Sequence, residues 1–148
     1  MRQLSELRHR GAFSTVSITF ASCCTACASS GNSGLVNEPQ GWYQEALAWM
    51  TQNASALTRR SAGLPAMITG ILAAYPDGSF FKDGIEALQA IAISPLSDDQ
   101  DIEEARLPQV HALNCLKDVF TGARFGNCTE LYMADALEIA VSSLESYV

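Results

Sequence analysis

Apolar residues recur three and four positions apart along most of the chain, the period of a helix that buries one face. Residues 12–28 are small or apolar on nearly every side and predict a buried helix, although their β-branched members leave a strand open. Residues 29–40 (SSGNSGLVNEPQ) are punctuated by Gly31, Gly34 and Pro39 and predict a loop. Trp42, Ala46, Trp49 and Met50 share one face of a helix over 41–57. A third helix over 64–75 ends at the turn signal Tyr75-Pro76-Asp77-Gly78. A fourth, over 79–93, puts Phe81, Ile85, Leu88 and Ala92 on one face.

Residues 94–106 (SPLSDDQDIEEAR) break the pattern and predict a solvated, acidic, flexible linker. Pro108 suits the first turn of a helix reaching Gly122, with Val110, Leu113, Lys117 and Phe120 on one stripe and Leu116 beside it. Asn127 and Glu130 have the spacing of a capping box and predict the start of the last helix. There Leu131, Ala134, Leu137, Val141, Leu144 and Val148 fall three or four apart. Outside residues 12–28 no strand-like alternation appears. Helices joined by short turns predict an all-α fold of antiparallel helix pairs, stacked as in a HEAT or armadillo solenoid. The 148 residues read as one helical-repeat segment, and a last helix that shows no stop signal reads as a fragment of a longer solenoid.

Composition agrees with this reading and adds a charge asymmetry. The chain is 48% hydrophobic and 17% charged, with a net charge of −7. Such an apolar chain needs much of its surface covered, so on its own it is expected to expose helix faces and self-associate. Residues 1–75 carry the basic Arg2, Arg8, Arg10, Arg59 and Arg60 against only Glu6, Glu38 and Glu45, whereas the rest of the chain is strongly acidic. A stand-alone nucleic-acid binder would present a basic face, so contact with RNA falls to a local arginine cluster or to a partner.

Two secondary readings come from the N-terminal third. Three arginines, then an apolar stretch ending in Ala26-Cys27-Ala28, have the outline of a secretory leader. Asn53 and Asn127 head glycosylation-type triplets that would suit a small secreted helical protein. Glu6 and the many hydroxyl residues between Ser14 and Thr25 argue the other way. The five cysteines are odd in number and irregularly spaced, which fits reduced thiols in a cytoplasmic protein better than a disulfide framework. Cys24 and Cys27 with His111 and Cys115 allow a four-ligand zinc site on paper, but the cysteines lie in an apolar helical segment and read as buried thiols. No nucleophile elbow, phosphate loop or dinucleotide fingerprint is present, which points to no enzyme, no cofactor and no small-molecule substrate.

The most informative stretch is TRRSAGLP, residues 58–65. Arg59 and Arg60 diverge by about 100° if helical. Ser61 can cap a helix, Gly63 permits close backbone approach, and Pro65 is tolerated only near a helix start. One reading is an inter-helix turn with an arginine paired internally. The other is an anion or partner site, with guanidinium groups beside free N–H groups of a helix N-terminus.

Three segments together, RHRGAF at 8–13, TRRSAGLP at 58–65 and VHALNCLKDVF at 110–120, resemble the THADA family (thyroid adenoma-associated protein homologues) in order and separation. The resemblance runs from about Leu7 to Val148. It implies a very long armadillo-like protein and a non-catalytic partner of a tRNA 2′-O-methyltransferase acting on nucleotide 32 of the anticodon loop. Chemistry and methyl donor would belong to the methyltransferase, and tRNA would be met through the complex; apart from the resemblance, no run of about 20 strongly apolar residues suggests a membrane span, so no membrane partner is expected. The resemblance also implies a partner-binding or site-shaping role for Arg59, Arg60, Ser61, Gly63, Leu64 and Pro65, and a secondary one for Arg8, His9, Arg10, His111 and Asn114.

Overall fold

The computed structural model describes residues 10–57, 63–76, 78–95 and 105–146, and among these the secondary structure is entirely helical. In chain order the elements are α1 (Arg10–Ala28), α2 (Ser33–Val36), α3 (Glu38–Gln52), a 3₁₀ turn (Ala54–Ala56), α4 (Gly63–Leu72), α5 (Ser79–Ala92), α6 (Leu107–Thr121), a second 3₁₀ turn (Gly126–Tyr132) and α7 (Met133–Ser146).

Helix α4 is the centre of the fold. Its sequence GLPAMITGIL carries no charge and is buried on almost every side, with Leu64, Met67, Ile68, Ile71 and Leu72 all in the core. It lies between α1 and α6 and also touches α3 and α5. The approach of α1 is close because the residues at the crossing are small: a Cβ added at Gly70 would stand 3.4 Å from both the Cα and Cβ of Ala21. Helix α5 packs mainly on α6, and α7 rests on α5 and α6.

Tyr43 of α3 reaches across the core. Its buried hydroxyl donates to the carbonyl of Gly84 in α5 at 2.7 Å, which meets its one polar need in an apolar surrounding. Burial pushes the Tyr43 phenol up, so it stays a donor. Gly84 allows this crossing, since a Cβ there would meet Leu72 Cδ2 at 2.7 Å and the Tyr43 hydroxyl at 3.3 Å. Tyr75 ties the α4–α5 turn to α2 by donating to the Val36 carbonyl at 2.6 Å. Phe81 of α5 stacks against Phe125 and Tyr132, which seats the second 3₁₀ turn beneath α5.

Several sequence expectations change at this level. The loop predicted over 29–40 contains α2 and the start of α3, because Pro39 falls in the first turn of a helix, where its missing N–H costs nothing. The helix predicted over 41–57 ends at Gln52 and passes into the 3₁₀ turn. Asn127 and Glu130 do not open the last helix; they lie within the second 3₁₀ turn, and α7 begins at Met133. The buried face of α6 is neighbouring to the one predicted. His111, Ala112, Cys115, Leu116 and Val119 face the core, while Val110, Leu113 and Phe120 are half-buried and Lys117 is exposed. The predicted α5 face is the observed one, with Phe81, Ile85, Leu88 and Ala92 all buried. Most of the predicted linker, residues 96–104, lies outside the described residues.

Candidate partner-binding site

The residues singled out by sequence divide sharply by position. Gly63, Leu64 and Pro65 form the buried start of α4. Pro65 sits in the first turn, where its fixed φ suits the helix and its lack of an N–H is harmless. Leu64 is 1% exposed and belongs to the core cluster, as does Leu57 ahead of the motif at 2%. The chain is therefore anchored in the core on both sides of residues 58–62. Arg59, Arg60 and Ser61 lie outside the described residues, as do Arg8 and His9. Arg10 opens α1.

His111 supplies the link between two of the three motifs. It stands on the inner face of α6, is 3% exposed, and its Nε2 lies 3.3 Å from the carbonyl oxygen of Ala54. A carbonyl only accepts, so a neutral ring carries its proton on Nε2. Burial holds the imidazole below its ordinary range, against an opposing pull from the carbonyls of Ala54 and Leu57. The ring thus fastens the 3₁₀ turn that leads directly into the arginine pair. Asn114, one turn along α6, is half-buried. The contact joins HALN to the threshold of TRRSAGLP. The sequence did not disclose Ala54 as the acceptor, because a backbone carbonyl has no side-chain signature.

Two of the three cysteines of the zinc reading are core residues, and Cys27 is half-buried. Cys24 and Cys115 are fully buried in the apolar cluster. Burial, followed by the neighbouring Cys23 and Cys27, pushes the Cys24 thiol up to about 12, and burial also raises that of Cys115. Neither is a thiolate poised to bind metal near neutral pH. Among the described residues no group of three or more His, Cys, Asp or Glu side chains gathers where a metal ion would be held. No helix among them is long and apolar enough to cross a membrane.

A family profile described as THADA/TRM732, DUF2428 matches residues 1–148. The chain belongs to the THADA/TRM732 family. It is similar to the tRNA (32-2′-O)-methyltransferase regulator trm732 of Schizosaccharomyces pombe, with 32% identity over 143 residues, covering 95% of this chain and 10% of the relative. The tRNA (32-2′-O)-methyltransferase regulators THADA of Gallus gallus and Homo sapiens are 31% and 32% identical over 97% and 99% of this chain, and 8% of each relative is covered. The chain thus spans about a tenth of the length of these curated relatives. No solved structure matches it. All three motifs lie within the family match, and so does the leader-like segment, which here forms much of α1 and contributes Ala21 and Cys24 to the core.

Proposed function

We propose that this THADA/TRM732 chain acts as a non-catalytic helical-repeat scaffold beside a tRNA 2′-O-methyltransferase, directing ribose methylation to nucleotide 32 of the anticodon loop in the cytoplasm. The observation that carries the reading is similarity along nearly the whole chain to proteins named as regulators of that methyltransferase. In this reading the methyltransferase holds the methyl donor and performs the transfer, and tRNA is met through the complex. The packing supports a repeat architecture: α3–α4 and α5–α6 are successive helix pairs, and α1, α4 and α6 form a row in which α4 touches both neighbours. That is the order expected of stacked helix pairs of the HEAT or armadillo kind.

Arg59 and Arg60 are the groups that face the partner, while Gly63, Leu64 and Pro65 shape the support behind them. His111 and Asn114 hold the approach from α6, and Arg8, His9 and Arg10 are secondary contacts. The test is alanine at Arg59 or Arg60 in a full-length protein carrying this segment. Nucleotide-32 methylation is expected to fall while protein level and melting temperature hold. Normal methylation in both variants contradicts the site, and unfolding of either assigns that arginine to an internal pair. The net charge of −7 favours a second reading, a protein-interaction module with no RNA role. Recovery of the methyltransferase but no tRNA with the full-length protein would select it.

A further inference from the structure

Three cysteines crowd the last two turns of α1, in the order Cys23-Cys24-Thr25-Ala26-Cys27. A helix turns by about 100° per residue, so Cys24 diverges from Cys23, while Cys27 comes back to within about 40° of Cys23 one turn further on. Burial follows this geometry. Cys24 lies in the core, Cys23 is exposed and Cys27 is half-buried. The thiols that share an outer face are therefore Cys23 and Cys27, not the Cys24 and Cys27 of the zinc reading. Cys115 is fully buried on α6 and Cys128 sits on the second 3₁₀ turn, so neither shares its element with another cysteine.

The Cys23 and Cys27 thiols lie within hydrogen-bonding reach of each other. The bond favours the protonated form of Cys27, so the Cys27 thiol donates to the Cys23 sulfur. Burial, followed by Cys23 and then Glu38 at the start of α3, holds the Cys27 thiol above its ordinary range. A metal ion needs deprotonated ligands, and a structural zinc site needs four, so two thiols of which one holds its proton suit neither.

A direct bond between the sulfurs does not suit the helix. A disulfide brings its Cβ atoms to about 3.8 Å. Residues one turn apart on a helix keep theirs roughly 5–6 Å apart. Closing that gap would strain the end of α1, where the amides of Ser29 and Ser30 donate to the carbonyls of Thr25 and Cys27, each at 3.0 Å. One atom bonded to both sulfurs spans the wider gap and leaves the turn intact.

We propose that Cys23 and Cys27 form a two-thiol capture site for a trivalent arsenical, closed by a single arsenic atom bonded to both sulfurs. With an arsonous acid, R–As(OH)2, two As–O bonds break and two As–S bonds form. The two thiol protons leave with the hydroxide groups as two molecules of water. Arsenic stays trivalent and nothing is oxidised. The arsenical thus supplies the base that a bare metal ion lacks. The bridge lies on the outer side of α1, so Ala21 and Cys24 keep their places in the core.

The experiment treats the intact, reduced 148-residue chain with phenylarsine oxide and reads the intact mass and the accessible thiols without denaturant. One arsenical is expected to add, with loss of two accessible thiols. The adduct should survive excess glutathione, a monothiol, and be removed by ethanedithiol. Cys23→Ser and Cys27→Ser should each lose the glutathione-resistant adduct, while Cys24→Ala and Cys128→Ser retain it. Circular dichroism first checks that each variant keeps native helicity, and Cys23→Ala, Cys27→Ala or Cys24→Ser replaces one that does not. The inference is overturned if the parent forms no resistant adduct, or if either Cys23→Ser or Cys27→Ser keeps it. Loss of the adduct in Cys24→Ala or Cys128→Ser also overturns it, by moving the capture to a different pair.

Discussion

Helix α4 and helix α7 are both rich in apolar residues and lie at opposite ends of the burial range. In α4 eight of the ten residues are buried, whereas Met133, Leu137, Val141 and Leu144 of α7 form an outer stripe that faces solvent. Amino-acid type alone does not account for the difference, since Leu64 is 1% exposed and Leu137 is 66% exposed. Neighbours account for it. Among the described residues four helices pack on α4, whereas α7 packs mainly on α5, α6 and the adjoining 3₁₀ turn. The comparison teaches that apolar periodicity reports which residues can be covered, and that tertiary placement determines which are covered within this segment.

Substitutions sharpen the comparison in order of expected effect. Ile68→Ala in the centre of α4 removes a fully buried side chain from a site ringed by other helices. It should cost about 2–5 kcal/mol, read as a fall in the denaturant midpoint. A loss below about 1 kcal/mol would show that the centre is loosely packed. Gly84→Ala comes next. The new methyl would press on Leu72 and on the Tyr43 hydroxyl, and overpacking of this kind costs about 1–3 kcal/mol. Tyr43→Phe in the same background should recover part of that loss by removing one of the crowded atoms, and full additivity would contradict the contact.

His111 offers a smaller, pH-dependent effect. Its folded pKa lies below the ordinary 6.5, so between the two values the unfolded chain binds a proton that the folded chain refuses. Stability from the neutral ring is therefore present above about 6.5 and lost as pH falls toward the folded value. Melting temperature should drop between about pH 7.5 and pH 5.5 in the parent and much less in His111→Leu, with His9 common to both proteins. Equal slopes would remove His111 from the account. The smallest effect belongs to α7: Leu137→Ser should change stability by no more than about 0.5 kcal/mol. A larger loss would mean that the stripe is covered within a single copy.

Much of the helical content was legible because the apolar period was intact, and α5 was legible down to its buried face. The face of α6 was misread for a physical reason. His111 counts as polar in a binary pattern, yet it is a neutral hydrogen-bonded ring on the inner face, and Cys115 lay outside the predicted stripe, yet is a small buried thiol. Val110 and Phe120 count as apolar and are only half-buried. The second 3₁₀ turn was missed because Asn127 and Glu130 match a capping spacing that the backbone there does not use. For the candidate site, the motif residues were visible as letters. The clasp of His111 on the Ala54 carbonyl was not, because it joins residues 57 positions apart through a backbone acceptor.

The central claim is that this chain does the work of the corresponding segment in a tRNA (32-2′-O)-methyltransferase regulator. The direct measurement replaces the matching region of the Schizosaccharomyces pombe regulator with these 148 residues and reads nucleotide-32 ribose methylation in cellular tRNA by mass spectrometry. The account predicts methylation close to that of the unaltered regulator. Loss of that methylation, with the chimera full-length, folded and as abundant as its parent, would contradict it.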